Sequence, residues 1–246
     1  HGEGGIFALY ALVKRTKIQW LIVPAIIGGS ALLADGIITP PISVSSAVEG
    51  LRIFKPDIPT VPIVIAILFI LFTIQQFGTK IVGKFFAPMM LVWFSMLAIL
   101  GTIQMLTNLE VFKALNPYYA YHLLTSDVSD QGFFILGAVF LCTTGAEALY
   151  SDMGHCGRKN IRISWIFVKS ALVLNYFGQG AYLLLHEGKT LAELGGSNPN
   201  PFFLIMASWF QPIGIVIATM AAVIASQALI SGSFTLINEA MRLNFW

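Results

Sequence analysis

Long apolar blocks constrain what this chain can fold into more than any other feature of its sequence. They lie at 63–73, 87–103, 133–142, 163–174 and 213–225 and carry almost no charge. A helix needs about 20 mostly apolar residues to cross the hydrocarbon core of a bilayer. Blocks of this kind predict an all-α polytopic membrane protein.

The composition agrees with this interpretation. Of the 246 residues, 57% are hydrophobic and 11% are charged, whereas soluble domains carry about 25% charged residues. The net charge of +2 is small and dispersed, which argues against nucleic acid binding. No nucleophile–base pair and no metal-ligand spacing is found, so neither an enzyme nor a cofactor is expected. The two cysteines, Cys142 and Cys156, lie in unlike surroundings and predict no disulfide.

Turn signals divide residues 1–246 into six predicted spans within one transmembrane unit. An interfacial or cytoplasmic segment, 1–20, precedes them, because its apolar stretch of ten residues is too short to cross. The chain has no initiator Met, so an internal fragment is expected. The spans are 21–51, 61–77, 85–107, 132–152, 161–186 and 206–232.

The positive charges predict the orientation. Alternating connections place nine Lys and Arg side chains on one side and four on the other. Because Lys and Arg are retained in the cytoplasm, both ends of the chain are expected there, in a multi-pass cell membrane protein. The nine are Lys14, Arg15, Lys17, Lys80, Lys84, Arg158, Lys159, Arg162 and Arg242, and the four are Arg52, Lys55, Lys113 and Lys189.

The first span is too long for a straight crossing. A helix of 31 residues extends about 46 Å, against a hydrocarbon thickness of about 30 Å. Pro40 and Pro41 remove two backbone donors, so a bend near them is predicted, with carbonyls left free for another partner. The alternative is a tilted helix whose proline pair packs against neighbouring helices.

Three intramembrane acids need a physical reason, because a carboxylate near the centre of a span costs about 2.5–3.5 kcal/mol on insertion scales. They are Asp35, Glu49 and Glu147. At 100° per residue, five oxygen-bearing side chains of the first span fall within about 120° of one another. We call this the polar face. Such residues also serve as contacts between helices, and that alternative stays open for Ser45 and Ser46. The polar face consists of Asp35, Thr39, Ser43, Ser46 and Glu49.

The fourth span carries a second polar cluster. Thr144, Glu147 and Ser151 lie at i, i+3 and i+7, so they share a helix face. Thr143-Thr144-Gly145 combines weak helix formers at this point, as in the interrupted helices of transporters, whose loosened carbonyls coordinate cations.

Hydroxyl, carbonyl and carboxylate oxygens suit hard cations, whereas soft metals prefer Cys, Met or His. Neutral oxygens with few full charges fit a monovalent ion that must also be released. A carboxyl group in a low dielectric binds a proton more readily than in water, which would couple ion movement to proton movement.

Six stretches of the sequence resemble the potassium uptake permeases, the KUP/HAK/KT family, in order and over essentially the whole chain. The longest contains Asp35-Gly-Ile-Ile-Thr39-Pro40 and the next Thr144-Gly-Ala-Glu147. The family is similar to the amino acid–polyamine–organocation superfamily. The stretches are 2–10, 35–51, 114–117, 144–155, 175–180 and 225–232.

The resemblance implies two inverted five-helix repeats of the LeuT-like kind and proton-coupled K+ symport into the cytoplasm. The six spans would be the third to eighth helices of that fold. Thr39, Ser43 and Thr144 resemble the hydroxyls lining the potassium site, while Asp35 and Glu147 resemble acids implicated in proton coupling. Pro41 departs from the family, where Ala is common, and the family's first helix, with its own acidic motif, is absent.

Two alternatives remain at this stage. A passive potassium channel would normally carry a filter of the Thr-Val-Gly-Tyr-Gly kind, which is not found. An amino acid permease of the same fold would present half-helix N-termini to a substrate carboxylate. K+, H+ and the lipid bilayer are the expected partners, and a homodimer stays open.

Overall fold

The computed structural model describes residues 6–14, 19–75, 83–125, 132–142, 157–195 and 200–242. These residues form helices, short 3₁₀ turns and loops, with no strand among them. The predicted all-α class is therefore confirmed for the described chain. In order, the helices are α1 (Ile6–Val13), α2 (Ile22–Glu49), α3 (Thr60–Gln75), α4 (Gly83–Met105), α5 (Pro117–Thr125), α6 (Gly132–Leu141), α7 (Arg158–Leu185), α8 (Leu191–Gly195), α9 (Pro201–Leu204) and α10 (Gln211–Arg242).

Three described helical segments are long and apolar enough to cross a bilayer, namely 22–53, 85–105 and 211–242. The apolar part of α3, 60–73, is shorter. Helix α7 is 28 residues long, but its first half carries several basic side chains, which lower its mean hydropathy. Six crossings thus remain a prediction from the sequence.

Helix α2 runs without interruption through Pro40 and Pro41. At the usual rise its 28 residues span about 42 Å. The Pro40 side chain is fully buried and that of Pro41 is half-buried. The pair therefore packs within the molecule while the helix continues on both sides.

Helix α10 begins later and ends later than the predicted span 206–232. Residues 205–210 form turns after α9, and the helix starts at Gln211 with Pro212 in its first turn. Proline fits there because its missing N–H has no intrahelical acceptor at that position. At the other end, Leu236 and Ala240 pack against Phe7 of α1, and this contact extends the buried part of α10 beyond 232.

Two helix pairs organise the core. Helices α2 and α10 run antiparallel, since Gly36 of α2 lies against Ser233 while Gly50 lies against Ile215. Helices α4 and α7 form the second pair and approach most closely at Gly101 and Gly178. A shared apolar cluster joins these pairs to α9, so one side of α2 is covered along its length. The cluster comprises Ala47, Met96, Leu97, Phe202, Phe203, Met206, Ile215 and Ala218.

Candidate functional site: a polar segment of α2 beside α10

The centre of α2 brings together the site residues that the sequence predicts on this helix. Asp35, Thr39 and Ser43 lie one turn apart and are all half-buried. The Thr39 hydroxyl donates a short hydrogen bond to Asp35 Oδ1. The second carboxylate oxygen, Asp35 Oδ2, is buried and has no hydrogen-bond partner among the described residues. The segment therefore offers a carboxylate oxygen that is positioned but unsatisfied.

The proline pair adds two backbone oxygens to this segment. In an α-helix the carbonyl of residue i accepts a hydrogen bond from the N–H of residue i+4. Because Pro40 and Pro41 have no N–H, the carbonyls of Gly36 and Ile37 lose that donor. These carbonyls lie in the same turn as the Asp35–Thr39 hydrogen bond. The segment therefore gathers hard oxygen atoms, two of which lose their usual helical donor.

Helix α10 packs directly against this segment. Gly36 has no side chain, and a Cβ atom at this position would collide with the Ser233 hydroxyl of α10. That close contact fixes the position of α10 along α2 next to Asp35. The Ser233 hydroxyl donates to its own helix, at the Leu229 carbonyl, at 3.0 Å. Ser233 therefore packs against Gly36, but the hydrogen bond of its hydroxyl stays within α10.

The far end of the predicted polar face belongs to a different surface. Ser46 and Glu49 line an open groove of about 500 Å³ between α2 and α3, together with Val61, Val64 and Leu68. On a helix Ser43 and Glu49 point about 120° apart, since each residue turns 100°. The five oxygen-bearing residues thus share a broad face, but the packing of α3 and α10 divides it. Asp35 and Thr39 are joined by a hydrogen bond, whereas Ser46 and Glu49 face the groove.

The second predicted cluster lies outside the described residues. Helix α6 ends at Leu141, and the structure resumes at Gly157. Thr144 and Glu147 fall between these points, so their assignment to the site remains a prediction from the sequence.

No basic side chain neutralises Asp35 within the described part of the chain. The ion pair found there joins Lys113 and Glu110 at 3.0 Å on an exposed turn, where the hydrogen bond to Glu110 raises the pKa of Lys113. Arg52, in the turn that follows α2, donates to the Thr60 hydroxyl at 3.1 Å. Neither of these basic side chains pairs with Asp35.

The described residues contain no group of three His, Cys, Asp or Glu side chains placed to hold a metal ion. The oxygens gathered on α2 come instead from one carboxylate, hydroxyls and backbone carbonyls. This donor set suits a hard, weakly held monovalent ion more than a tightly held transition metal.

Sequence reasoning assigned no site residue to the last helix. Its signal was nevertheless present, since Thr219, Ser226 and Ser233 recur at intervals of seven residues and so share a face. The sequence could not tell which of these hydroxyls is buried or which helix they meet.

Comparison with known proteins decides the family. Residues 1–246 match the K+ potassium transporter integral membrane domain. The chain belongs to the Kup potassium transporter family. The predicted family is therefore confirmed, and with it an integral membrane protein of the transporter class. No solved structure matches the chain.

Its relatives are similar along the entire chain. Probable potassium transport system proteins Kup are 80% identical over 249 residues in Flavobacterium johnsoniae and 65% identical over 248 residues in Cytophaga hutchinsonii. One from Clostridium perfringens is 54% identical over 254 residues. Each match covers 100% of this chain but 37–38% of the relative. The chain thus spans less than two fifths of the length of these curated relatives.

Proposed function

We propose that this chain supplies part of the ion pathway of a proton-coupled potassium symporter that imports K+ into the cytoplasm. The observation that carries the proposal is the buried Asp35 Oδ2, which has no partner among the described residues and is held in place by Thr39 beside two carbonyls that lose their usual helical donors. The family membership and the printed names of the relatives support potassium as the ion.

The hydroxyl and carbonyl oxygens of α2 support the binding of a monovalent cation. The Thr39 hydroxyl donates a hydrogen bond to Asp35. The lone pairs of the Thr39 oxygen therefore remain free for a cation. Ser43 lies one turn further along the same helix. Carbonyl and hydroxyl oxygens of this kind replace the hydration shell of a monovalent ion. In the proposed site Thr144 adds a third hydroxyl from the fourth span.

The unsatisfied carboxylate supports proton coupling. In a symporter the proton and the cation cross together, so a carboxyl group that binds and releases a proton beside the hydroxyls that hold the cation would link the two movements. We assign Asp35 and Glu147 to this coupling. Within the proposed scheme the chain forms helices three to eight of two inverted repeats, and both of its ends face the cytoplasm.

The experiment measures uptake of radiolabelled rubidium by the full-length transporter in proteoliposomes, with and without an inward proton gradient. We expect saturable uptake that the gradient accelerates, together with acidification of the lumen when K+ is added outside. Asp35→Asn is expected to abolish the response to the gradient. Asp57→Asn, which removes a charge of the same sign from the exposed turn before α3, is the matched control. This variant is expected to retain the response to the gradient.

Two outcomes would contradict the proposal. Uptake that does not saturate and ignores the proton gradient would indicate a passive channel. Uptake of an amino acid, with no movement of rubidium, would indicate a permease of the same fold.

A further inference from the structure

Three hydroxyl side chains of α10 share one face, and one of the three has no hydrogen-bond partner within the described ranges. Thr219 donates to the Ile215 carbonyl at 2.8 Å, and Ser233 donates to the Leu229 carbonyl at 3.0 Å. Such bonds to the preceding turn are the usual way in which Ser and Thr are satisfied inside a helix. Ser226 is 0% exposed, and its Oγ has no partner among the described residues. Its hydroxyl is therefore buried and available.

The packing places Ser226 at the level of the candidate site. One turn before Ser226, Ala222 packs against the cluster of Val44 and Val48 on α2. Two turns after Ser226, Ser233 lies against Gly36. Because α2 and α10 run antiparallel, Ser226 lies between these two contacts, beside the stretch from Thr39 to Ser43. This is the stretch in which the proline pair interrupts the backbone hydrogen bonds of α2.

Both sides of this interface offer oxygen atoms to a cation. On α2 Asp35 Oδ2 has no hydrogen-bond partner among the described residues, and the carbonyls of Gly36 and Ile37 lose their usual helical donors to Pro40 and Pro41. On α10 the Ser226 hydroxyl carries two acceptor lone pairs and one rotatable proton. Buried polar groups without a partner in native structures need an explanation, and a bound ion is one such explanation.

We propose that Ser226 is a ligand of the transported K+, contributed by α10 to the site on α2. The inference rests on the proposed function and adds a residue and a helix that it does not include. Helix α10 then does more than support α2. It supplies one wall of the ion site.

The test uses the full-length transporter in proteoliposomes and compares Ser226→Ala with Thr219→Val. We expect Ser226→Ala to raise the half-saturation concentration for rubidium about five- to tenfold and to leave the maximal rate within about twofold. A raised half-saturation concentration with a nearly unchanged maximal rate is expected when a single ligand is lost from the bound state. Thr219→Val removes a hydroxyl from the same helix face, but that hydroxyl is already satisfied by the backbone. Its half-saturation concentration is expected to match the wild type.

Thermal unfolding in detergent separates a ligand from a structural residue. Without K+, Ser226→Ala is expected to unfold at the wild-type temperature or above it, because an unsatisfied buried hydroxyl contributes no hydrogen bond to stability. Added K+, compared with choline, is expected to stabilise the wild type more than the variant, since ligand binding shifts the unfolding equilibrium in proportion to affinity.

Several results would overturn the inference. One is a half-saturation concentration for Ser226→Ala within twofold of the wild type. Another is a half-saturation concentration that rises as much in Thr219→Val as in Ser226→Ala. If Ser226→Ala does not fold, Ser226→Cys is assayed instead, because its volume is similar and sulfur is a poor ligand for a hard cation. A Cys variant with wild-type affinity, or one that also fails to fold, would indicate a structural role. Failure of wild-type vesicles to take up rubidium would refute the proposed function itself.

Discussion

At the scale of single residues, the proposed function depends on the Asp35 carboxylate, of which one oxygen is bonded. The Thr39 hydroxyl fixes the orientation of Asp35 through that oxygen, and the buried second oxygen has no partner in the part of the chain that the structure describes. A buried polar group in this state costs about 1–3 kcal/mol, and more when it is charged. On the proposed function, protonation or cation binding removes this cost.

Thr39→Val in the full-length transporter is expected to raise the half-saturation concentration for rubidium about tenfold, which corresponds to about 1.4 kcal/mol. Valine keeps the shape of the side chain but removes both the donor to Asp35 and the oxygen offered to the cation. The control is Thr73→Val on α3, where the hydroxyl donates to the Phe69 carbonyl at 2.8 Å and is exposed. An unchanged half-saturation concentration in Thr39→Val would remove this residue from the site.

Glu147→Gln is expected to abolish the dependence of uptake on the proton gradient while leaving the unfolding temperature in detergent unchanged. Glutamine has the size of glutamate but cannot exchange a proton. Glu110→Gln makes the same substitution on an exposed turn and should keep the pH dependence of the wild type. A Glu147→Gln transporter with wild-type pH dependence would refute the proton role of this residue.

At the scale of elements, the helices are held together by close backbone approaches that only small residues allow. A Cβ at Gly101 of α4 would lie 2.5 Å from the Leu174 carbonyl and 2.6 Å from Asn175 Cα on α7. A Cβ at Gly178 would lie 2.6 Å from Gly101 Cα. Without a hydrophobic driving force between helices in lipid, such contacts and van der Waals packing supply the association energy.

Gly101→Ala is therefore expected to destabilise the protein by about 1–3 kcal/mol, the usual cost of overpacking, because the atoms it meets are backbone and cannot rotate away. The measurement is the unfolding temperature in detergent. Gly137→Ala on α6 is the control, since no described atom lies within 4 Å of a Cβ built there. Its stability should be unchanged or higher, because Ala favours a helix over Gly by about 1 kcal/mol. Equal unfolding temperatures for the two variants would refute the close approach of α4 and α7.

At the scale of the whole molecule, the proposed orientation follows from the charges on the connections. The turn between α2 and α3 contains the exposed residues Lys55 and Asp57, whereas the start of α7 contains exposed Lys159 and Arg162. These two regions are separated by an odd number of the predicted spans. They should therefore lie on opposite sides of the membrane, with the richer cluster of Lys and Arg inside.

Cysteine labelling of the full-length transporter tests this orientation in a background that lacks native cysteines. Asp57→Cys is expected to react with a membrane-impermeant maleimide added to intact cells. Lys159→Cys should react only after permeabilisation. Both positions are exposed, so differences in burial do not explain the contrast. The reverse pattern would invert the orientation, and labelling of both from outside would contradict the predicted number of spans.

The site on α2 shows how far local spacing can be interpreted. Asp35 and Thr39 are four residues apart, and a helix places such residues side by side, so their hydrogen bond could be predicted. The same rule placed Ser46 and Glu49 on the broad polar face, but it could not predict that α3 would form a groove there. The inverted-repeat arrangement remains a prediction, because it depends on helices beyond this chain.

The sequence by itself determined the membrane-protein class, the presence of long apolar helices, the family and the local order of oxygen atoms on α2. These properties depend on composition and on a period of 3.6 residues, both of which are local. Only the tertiary structure decided that α10 lies against Gly36, that Ser226 is buried with no partner among the described residues, and that α4 and α7 meet at two glycines. These features depend on contacts between residues far apart in the chain, and among many apolar helix faces the helical period does not specify which pair will meet.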